Sequence, residues 1–241
     1  MRYLALSTRN LKEIVRDPIS AMFGLGLPLL LLVLFTQLGN RLPAGVFKIQ
    51  NFAPGMVVFG FSFLVMFSAL LLAQDKKSSF LMRLFASPLT PSDYILSYTL
   101  PLLPLALLQC VACFGVAVFM GLHLSAYTLL AVAVLMPQAV MTIFAGLLFG
   151  AVLNEKQVQG VGNVYIIVGS LLSGAWLEMS LLGGGWSTIA YALPFAHSVD
   201  AARAALAGDL SSILPNLMWP IGYAAVIFVL AAVALRHQME A

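Results

Sequence analysis

The sequence predicts an all-α integral membrane protein, and its composition and hydropathy pattern both lead to that fold class. Of its 241 residues, 61% are hydrophobic and only 9% are charged, and the mean hydropathy is +1.00. One soluble core could not bury so much apolar surface. The strict alternation that marks a transmembrane barrel is missing, so helices are the predicted spanning structure, because they pair their own backbone groups in lipid.

Six apolar stretches are long enough to cross a bilayer as helices. Crossing about 30 Å of hydrocarbon takes about 20 predominantly apolar residues. The predicted spans are 19–38, 52–73, 94–120, 126–150, 158–177 and 213–235. Gly146 and Gly150 lie four residues apart in the fourth span, a spacing that favours close helix contact. We interpret residues 1–241 as one transmembrane domain.

The first 18 residues predict an amphipathic helix that lies in the membrane interface. At 100° per residue, Leu4, Leu11 and Ile14 fall on one arc, and the basic side chains fall on the opposite arc. Those basic residues are Arg2, Arg9, Lys12 and Arg16. Charges spread in this way do not fit a secretory signal, and a solvated leader is the alternative. Asp17-Pro18 is predicted to end the helix.

The distribution of lysine and arginine predicts that both termini are cytoplasmic. With six spans, nine of the 12 basic residues lie on the side of the N-terminus, and Arg41, Lys48 and Arg203 lie on the other. This is the asymmetry expected from the positive-inside rule. The basic charge therefore indicates topology and contact with membrane lipids, and it does not indicate nucleic acid binding.

Several chemistries have no sequence signal in this chain. There is no GxxxxGK[ST] loop and no nucleophile motif, so we expect no bound nucleotide and no enzymatic activity of its own. Cys110 and Cys113 lie inside the third span, where packing is the expected role, and no ligand spacing predicts a metal site or a cofactor. The span interiors contain no Asp, Glu, Lys or Arg, which disfavours an ion-driven carrier, although sodium sites built from carbonyl groups leave that class open.

The loop after the second span, 75–88, predicts a short amphipathic helix on the cytoplasmic side. Helical spacing stacks Lys76 over Arg83 and gathers the apolar residues on a neighbouring arc. Those apolar residues are Phe80, Leu81, Leu84 and Phe85. Such a helix can insert into a groove of a partner protein, and a basic loop that only fixes topology is the alternative. Thr90 to Asp93 then predict a capped start of the third span.

The residues from Asp75 to Tyr98, with Lys76-Lys77, Arg83 and Ala86-Ser87-Pro88-Leu89-Thr90-Pro91, resemble the coupling segment of ABC-2 type transporter permeases. These permeases are the membrane subunits of bacterial ATP-binding-cassette exporters. Residues 154–176 and 194–203 also resemble the family, in the same order along the chain. Gln74-Asp75 departs from the pattern, since many relatives carry a glutamate before the basic pair.

The resemblance implies a defined assembly. It implies an N-terminal elbow helix, six spans, a second permease chain in a homodimer or heterodimer, and two separate ATPase subunits that use ATP and Mg²⁺. It also implies location in the bacterial inner membrane and alternation between inward-open and outward-open states. The residues that it places at the ATPase contact are Asp75, Lys76, Lys77, Phe80, Leu81, Arg83, Leu84 and Phe85.

Polar and aromatic residues suggest a substrate path along the fifth and second spans. Four polar side chains share one face of the fifth helix and are expected to face the bundle, a dimer interface or a pathway. They are Gln159, Asn163, Ser170 and Ser173. Phe59 and Phe63 of the second span are the apolar candidates for the same path. Helix packing is the alternative for all six residues.

The segment 178–210 predicts a partly re-entrant helical hairpin on the outer side. Glycines 183–185 and a proline break it into two short helical patterns, and polar groups at this depth need protein around them. The predicted outer gate residues are Trp176, Glu178, Pro194, Phe195 and His197. Asp200 and Arg203 are spaced to pair on the surface.

Three functions follow from these observations. The first is the permease of an exporter for an amphiphilic molecule such as a drug, an antibiotic or a lipid-like product. The second is a permease for a lipid-linked glycan, which would call for a wide basic groove with aromatic residues. The third is an ATP-independent carrier or a membrane scaffold.

Overall fold

The computed structural model describes residues 2–15, 22–39, 48–78, 90–176 and 184–240. Within these ranges the regular structure is helical throughout. The helices are α1 (Arg2–Val15), α2 (Leu27–Gly39, entered through a π-helical turn at Met22–Gly26), α3 (Ile49–Lys77), α4 (Pro91–Phe119), α5 (Ala126–Val152), α6 (Glu155–Leu172), α7 (Gly184–Tyr191), α8 (Pro194–Ala207) and α9 (Leu210–Glu240).

Four helices in the described ranges are long and apolar enough to cross a membrane. They are Ile49–Lys77, Pro91–Phe119, Ala126–Val152 and Leu210–Met239. They coincide with four of the predicted spans and are candidates for them by length and composition. The first predicted span contains a shorter apolar helix, Gly24–Gly39, and the fifth contains the 18-residue helix α6. The count of six crossings stays a prediction.

Two helices at the same end of the molecule begin at capping boxes encoded in the sequence. Thr90 Oγ1 accepts a hydrogen bond from the Asp93 backbone N–H at 3.3 Å, and Asp93 Oδ2 accepts one from the Thr90 backbone N–H at 3.0 Å. This confirms the predicted start of the third span. Asn154 and Gln157 form the corresponding pair at the start of α6, at 3.0 and 3.1 Å.

Helix α3 lies at the centre of the bundle and packs tightly against α5. A Cβ atom at Gly146 would lie 2.4 Å from the carbonyl oxygen of Val65, and one at Gly150 would lie 2.6 Å from that of Ala69. Only glycine permits this approach of the two backbones, which confirms the close contact predicted from the spacing. Cys110 and Cys113 are buried free thiols in α4, as expected for packing residues.

The long helices run between two ends of the bundle. At the first, the basic end, the last turns of α3 and α5 meet the first turn of α6, and Gln238 near the end of α9 contacts the Ala151 carbonyl. At the opposite end, the start of α3 and the end of α6 meet α8 through Arg203. The positive-inside rule predicts that the basic end is cytoplasmic.

The predicted coupling helix differs from the structure at its start. Residues 75–77 form the last turn of α3, because nothing in the sequence before Ser78 breaks that helix. Residues 79–88 lie outside the described residues. The elbow helix is observed as Arg2–Val15, and the predicted outer hairpin contains two short helices, α7 and α8, as its pattern indicates.

Candidate functional site

A buried ion pair at the basic end connects three helices. Asp75, in the last turn of α3, is only 2% exposed. Its Oδ2 accepts a hydrogen bond from Arg9 Nη1 at 2.6 Å, and its Oδ1 accepts one from Arg9 Nη2 at 2.7 Å. Tyr98 of α4 donates its hydroxyl to Oδ2 at 2.6 Å. A carboxylate in this position is satisfied by a bidentate guanidinium and one further donor.

The first helix turns polar residues inward to make this contact. Asn10 is fully buried and donates to the Ser97 carbonyl at 3.4 Å, and Leu6 is buried beside it. Helical spacing assigned Arg9 to the basic face opposite the apolar arc, and the structure corrects this assignment, because the Arg9 guanidinium binds Asp75. The physical reason is that Asp75 requires a counter-charge once it is buried.

Arg9 has acidic partners on two sides. Besides Asp75, it pairs with Glu13 of its own helix at 2.9 Å, and 38% of its side chain is exposed. The hydrogen bond to Asp75, together with the two negative charges, raises the pKa of Arg9 above its ordinary value. The guanidinium is thus a permanent cation at this position.

The described members of the predicted ATPase contact all bind other parts of this chain. Asp75 is enclosed as above, Lys76 Nζ donates to the Ala151 carbonyl at 2.8 Å, and Lys77 Nζ lies 2.9 Å from Glu155. The structure thus places these three residues at the junction of α3 with α1, α5 and α6. The remaining members, Phe80, Leu81, Arg83, Leu84 and Phe85, lie outside the described residues.

The predicted substrate-path residues fall into two groups that the structure does not bring together. Ser170 and Ser173 are buried at the end of α6 that lies opposite the basic end, where Ser173 donates to the Ser170 carbonyl at 2.9 Å. Gln159 and Asn163 are exposed along the other half of the same helix. They therefore face away from the body of this chain, and their place in a dimer interface or a substrate pathway stays a prediction.

An aromatic cluster fills the opposite end of the bundle around Trp176. Its ring lies 5.3 Å from that of Phe35 and 5.8 Å from that of Phe59, and its Nε1 donates to Ser170 Oγ at 2.5 Å. Phe63 extends the cluster, at 5.4 Å from Phe59. Phe59 and Phe63 thus lie with the predicted gate residue Trp176 and not with Gln159 and Asn163.

Three other predicted gate residues lie together on α8. Pro194 is its first residue, and Phe195 is buried with its ring 5.3 Å from that of Tyr165 on α6. His197 stacks on Trp219 of α9 with ring centroids 4.4 Å apart. Glu178, the fifth predicted gate residue, lies outside the described residues.

Arg203 is a connecting residue that the sequence interpretation underestimated. Its predicted pairing with Asp200 is confirmed at 3.3 Å, but its side chain is only 19% exposed. Its Nε donates to the Asn51 carbonyl at 3.0 Å, and its Nη2 donates to the Gly174 carbonyl at 2.9 Å. The sequence signal for this role was the position of Arg203 on the predicted outer side, where the positive-inside rule disfavours cations.

A buried polar network joins α5 to α8 and was also missed. Gln138, in the middle of α5, is fully buried and accepts a hydrogen bond from Ser198 Oγ at 2.8 Å. Its Nε2 lies 3.4 Å from Thr142 Oγ1. A glutamine inside an apolar span was the sequence signal, since a polar side chain at that depth needs a partner.

The described residues thus form a bundle of apolar helices with polar connections at both ends. The family model for the ABC-2 type transporter matches residues 1–207, from α1 to the end of α8. The chain belongs to the ABC-2 type transporter family. A comparison with curated proteins found no match. ABC-2 permeases are membrane transport components that work with an ATP-binding subunit, so the chain is a multi-pass membrane permease.

Proposed function

We propose that this chain is the transmembrane subunit of an ATP-binding-cassette exporter that moves an amphiphilic molecule, such as a drug, an antibiotic or a lipid-like product. Family membership supports the permease role, and the aromatic cluster of Phe59 and Trp176 supports an amphiphilic substrate. In this proposal two ATPase subunits bind the segment 75–88 at the cytoplasmic face of the bacterial inner membrane, where both termini also lie.

The observation that carries the coupling mechanism is the buried contact of Asp75 with Arg9 and Tyr98. The segment that would bind the ATPase begins at Asp75, so a displacement of that segment pulls on the end of α3. Because a buried charge pair is costly to separate, α1 and α4 move together with α3. Asp75, the first residue of that segment, therefore acts by connecting helices.

Lys76 and Lys77 extend the same connection to the other side of α3. Lys76 binds the carbonyl end of α5 and Lys77 pairs with the first residue of α6. Movement of the coupling segment thereby reaches the helix that carries Gln159 and Asn163. We propose that this exposed face of α6 meets a second permease chain, and that the substrate passes between the two copies.

The opposite end supplies the proposed outer gate. Trp176 and its aromatic neighbours close the space between α2, α3 and the end of α6. Arg203 connects α8 to the start of α3 and to the end of α6. Release of substrate to the outside would separate these contacts. The hydrogen bonds of Arg203 to backbone carbonyls stabilise the closed gate. Because each bond contributes only modestly, they can break when the gate opens.

Reconstitution with an ATPase subunit tests the function. The purified chain would be combined with its candidate ATPase in lipid vesicles, and ATP hydrolysis and transport would be measured over a panel of amphiphiles that includes a lipid-linked sugar. We expect one amphiphile class to stimulate hydrolysis and to move only with ATP. Stimulation by the lipid-linked sugar alone would favour the glycan exporter, and transport without any ATPase would show a carrier instead.

A further inference from the structure

A cavity of about 490 Å³ opens at the basic end beside the last turn of α3. Three lysines line it, namely Lys76, Lys77 and Lys156. Glu155 is the one acidic residue among the described residues that line it. The cavity lies where the end of α3 meets the short connection between α5 and α6, and it is separate from the buried pair of Asp75 and Arg9.

The charges around this cavity are not balanced. Lys77 is neutralised by Glu155 at 2.9 Å. Lys76 has only the neutral carbonyl of Ala151 as a hydrogen-bond partner, at 2.8 Å, and in the described part of the chain no carboxylate forms an ion pair with it. Lys156 is exposed and likewise forms no ion pair with the described residues. Within the described part of the chain, two positive charges therefore border the cavity without a counter-charge.

The walls of the cavity combine these cations with apolar groups. Ala73, one turn earlier on α3, and Leu153, after the end of α5, line the same space. The start of α6 adds the positive end of a helix dipole. A ligand that matches both the lysines and the apolar walls carries a negative phosphate next to an apolar body. A basic cavity at the cytoplasmic end of membrane-spanning helices lies at the depth where phospholipid headgroups are found.

We propose that this cavity binds the phosphate of an anionic phospholipid from the cytoplasmic leaflet. The phosphate would lie between Lys76 and Lys156, and the glycerol region would lie against Ala73 and Leu153. The lipid bridges the end of α3 to the α5–α6 connection and supplies the missing negative charge. This inference depends on the basic end being cytoplasmic and does not depend on the ATPase partner or on the transported substrate.

Lipid titration of the purified full-length chain tests the proposal. Labelled phosphatidylglycerol would be titrated into the protein in neutral detergent, with phosphatidylcholine as the uncharged competitor and inorganic phosphate as the free anion. We expect phosphatidylglycerol to bind at least tenfold more tightly than phosphatidylcholine. Lys76→Gln with Lys156→Gln should weaken that binding about 25-fold, at about fivefold for each charge near the headgroup.

Two matched variants separate this site from a general effect of charge. Lys48→Gln removes one exposed lysine at the opposite end of α3 and should leave binding unchanged. Glu155→Gln removes the one acidic group of the described lining and frees Lys77, so it should tighten binding about fivefold. A merely structural role of the lysines predicts no such gain.

Three results would overturn the proposal. The first is equal binding of the two lipids by the wild-type chain. The second is displacement of phosphatidylglycerol by millimolar inorganic phosphate, which would make the cavity a site for a free anion. The third is unchanged lipid binding in the double lysine variant together with loss of ATPase assembly, which would assign the cavity to an acidic protein contact.

Discussion

The carboxylate of Asp75 and the guanidinium of Arg9 are 66 residues apart in sequence and form a bidentate pair at 2.6 and 2.7 Å. The pair joins the first helix of the chain to the last turn of the central helix, where the proposed coupling segment 75–88 begins. In the proposed mechanism, the amphipathic first helix therefore moves together with the central helix and is not only an anchor.

Breaking this pair should destabilise the protein. We expect Asp75→Asn to lower the free energy of unfolding by about 2 kcal/mol, below the range for fully buried pairs because Arg9 is 38% exposed. Thermal unfolding of Asp75→Asn, Arg9→Gln and the double variant measures the effect. The two single losses should not add, because both remove one interaction. Asp209→Asn, at an exposed helix cap, is the matched control, and fully additive losses would contradict the account.

The hydroxyl of Tyr98 should contribute separately. Tyr98→Phe removes a donor at 2.6 Å from the buried carboxylate and is expected to cost about 1.5 kcal/mol, because hydrogen bonds to charged groups are the stronger kind. Tyr223→Phe removes an exposed hydroxyl that donates to the Ala192 carbonyl and should cost clearly less. Equal melting temperatures for the two variants would show that Tyr98 does not stabilise Asp75.

The close approach of α5 to α3 predicts that replacing glycine by alanine destabilises the protein at Gly146 but not at Gly160. Gly146→Ala would place a Cβ atom 2.4 Å from the Val65 carbonyl oxygen and 1.9 Å from Ser68 Oγ, so the helices must separate. We expect a loss of about 2 kcal/mol or more, measured as the melting temperature and the yield of folded protein. Gly160→Ala, on an exposed face of α6 with nothing within 4 Å, should be neutral or slightly stabilising.

The role of Arg203 at the opposite end can be tested by labelling. Arg203→Gln removes the donors to the Asn51 and Gly174 carbonyls. A cysteine placed at Ala175, which is buried beside them, should then react at least several times faster with a membrane-impermeant maleimide. Lys48→Gln is the control, because it removes a positive charge at the same end and leaves the hydrogen bonds of Arg203 in place. Unchanged labelling in Arg203→Gln would remove Arg203 from the proposed gate.

The sequence predicted what depends on local pattern and missed what depends on long-range contact. The helix start at Thr90 and the close contact at Gly146 were predictable, since a capping box and a glycine spacing act within a few residues. The pairing of Arg9 with Asp75 was not, because helical periodicity assigned each residue to a polar face without showing that the two faces meet. The family resemblance placed Asp75 in the coupling segment, but only the fold showed that its oxygens are enclosed.

Residues that helical spacing places on one face of α6 have different surroundings in the fold. Gln159 and Ser170 share a face of α6 by helical spacing, yet one is exposed and the other buried. The difference arises because Trp176 covers only the outer part of the helix, where its Nε1 reaches Ser170. A periodicity argument treats a helix as uniform along its length and cannot include such a neighbour.

In the proposed mechanism, Asp75 transmits ATP-driven movement to the helices. The most direct measurement is the amount of substrate transported for each ATP hydrolysed, by the permease and its ATPase in vesicles, for wild type, Asp75→Asn and Asp209→Asn. We predict that Asp75→Asn still assembles with the ATPase and hydrolyses ATP but transports at least tenfold less substrate for each ATP, while Asp209→Asn matches wild type. A transport ratio in Asp75→Asn equal to that of wild type would contradict the account.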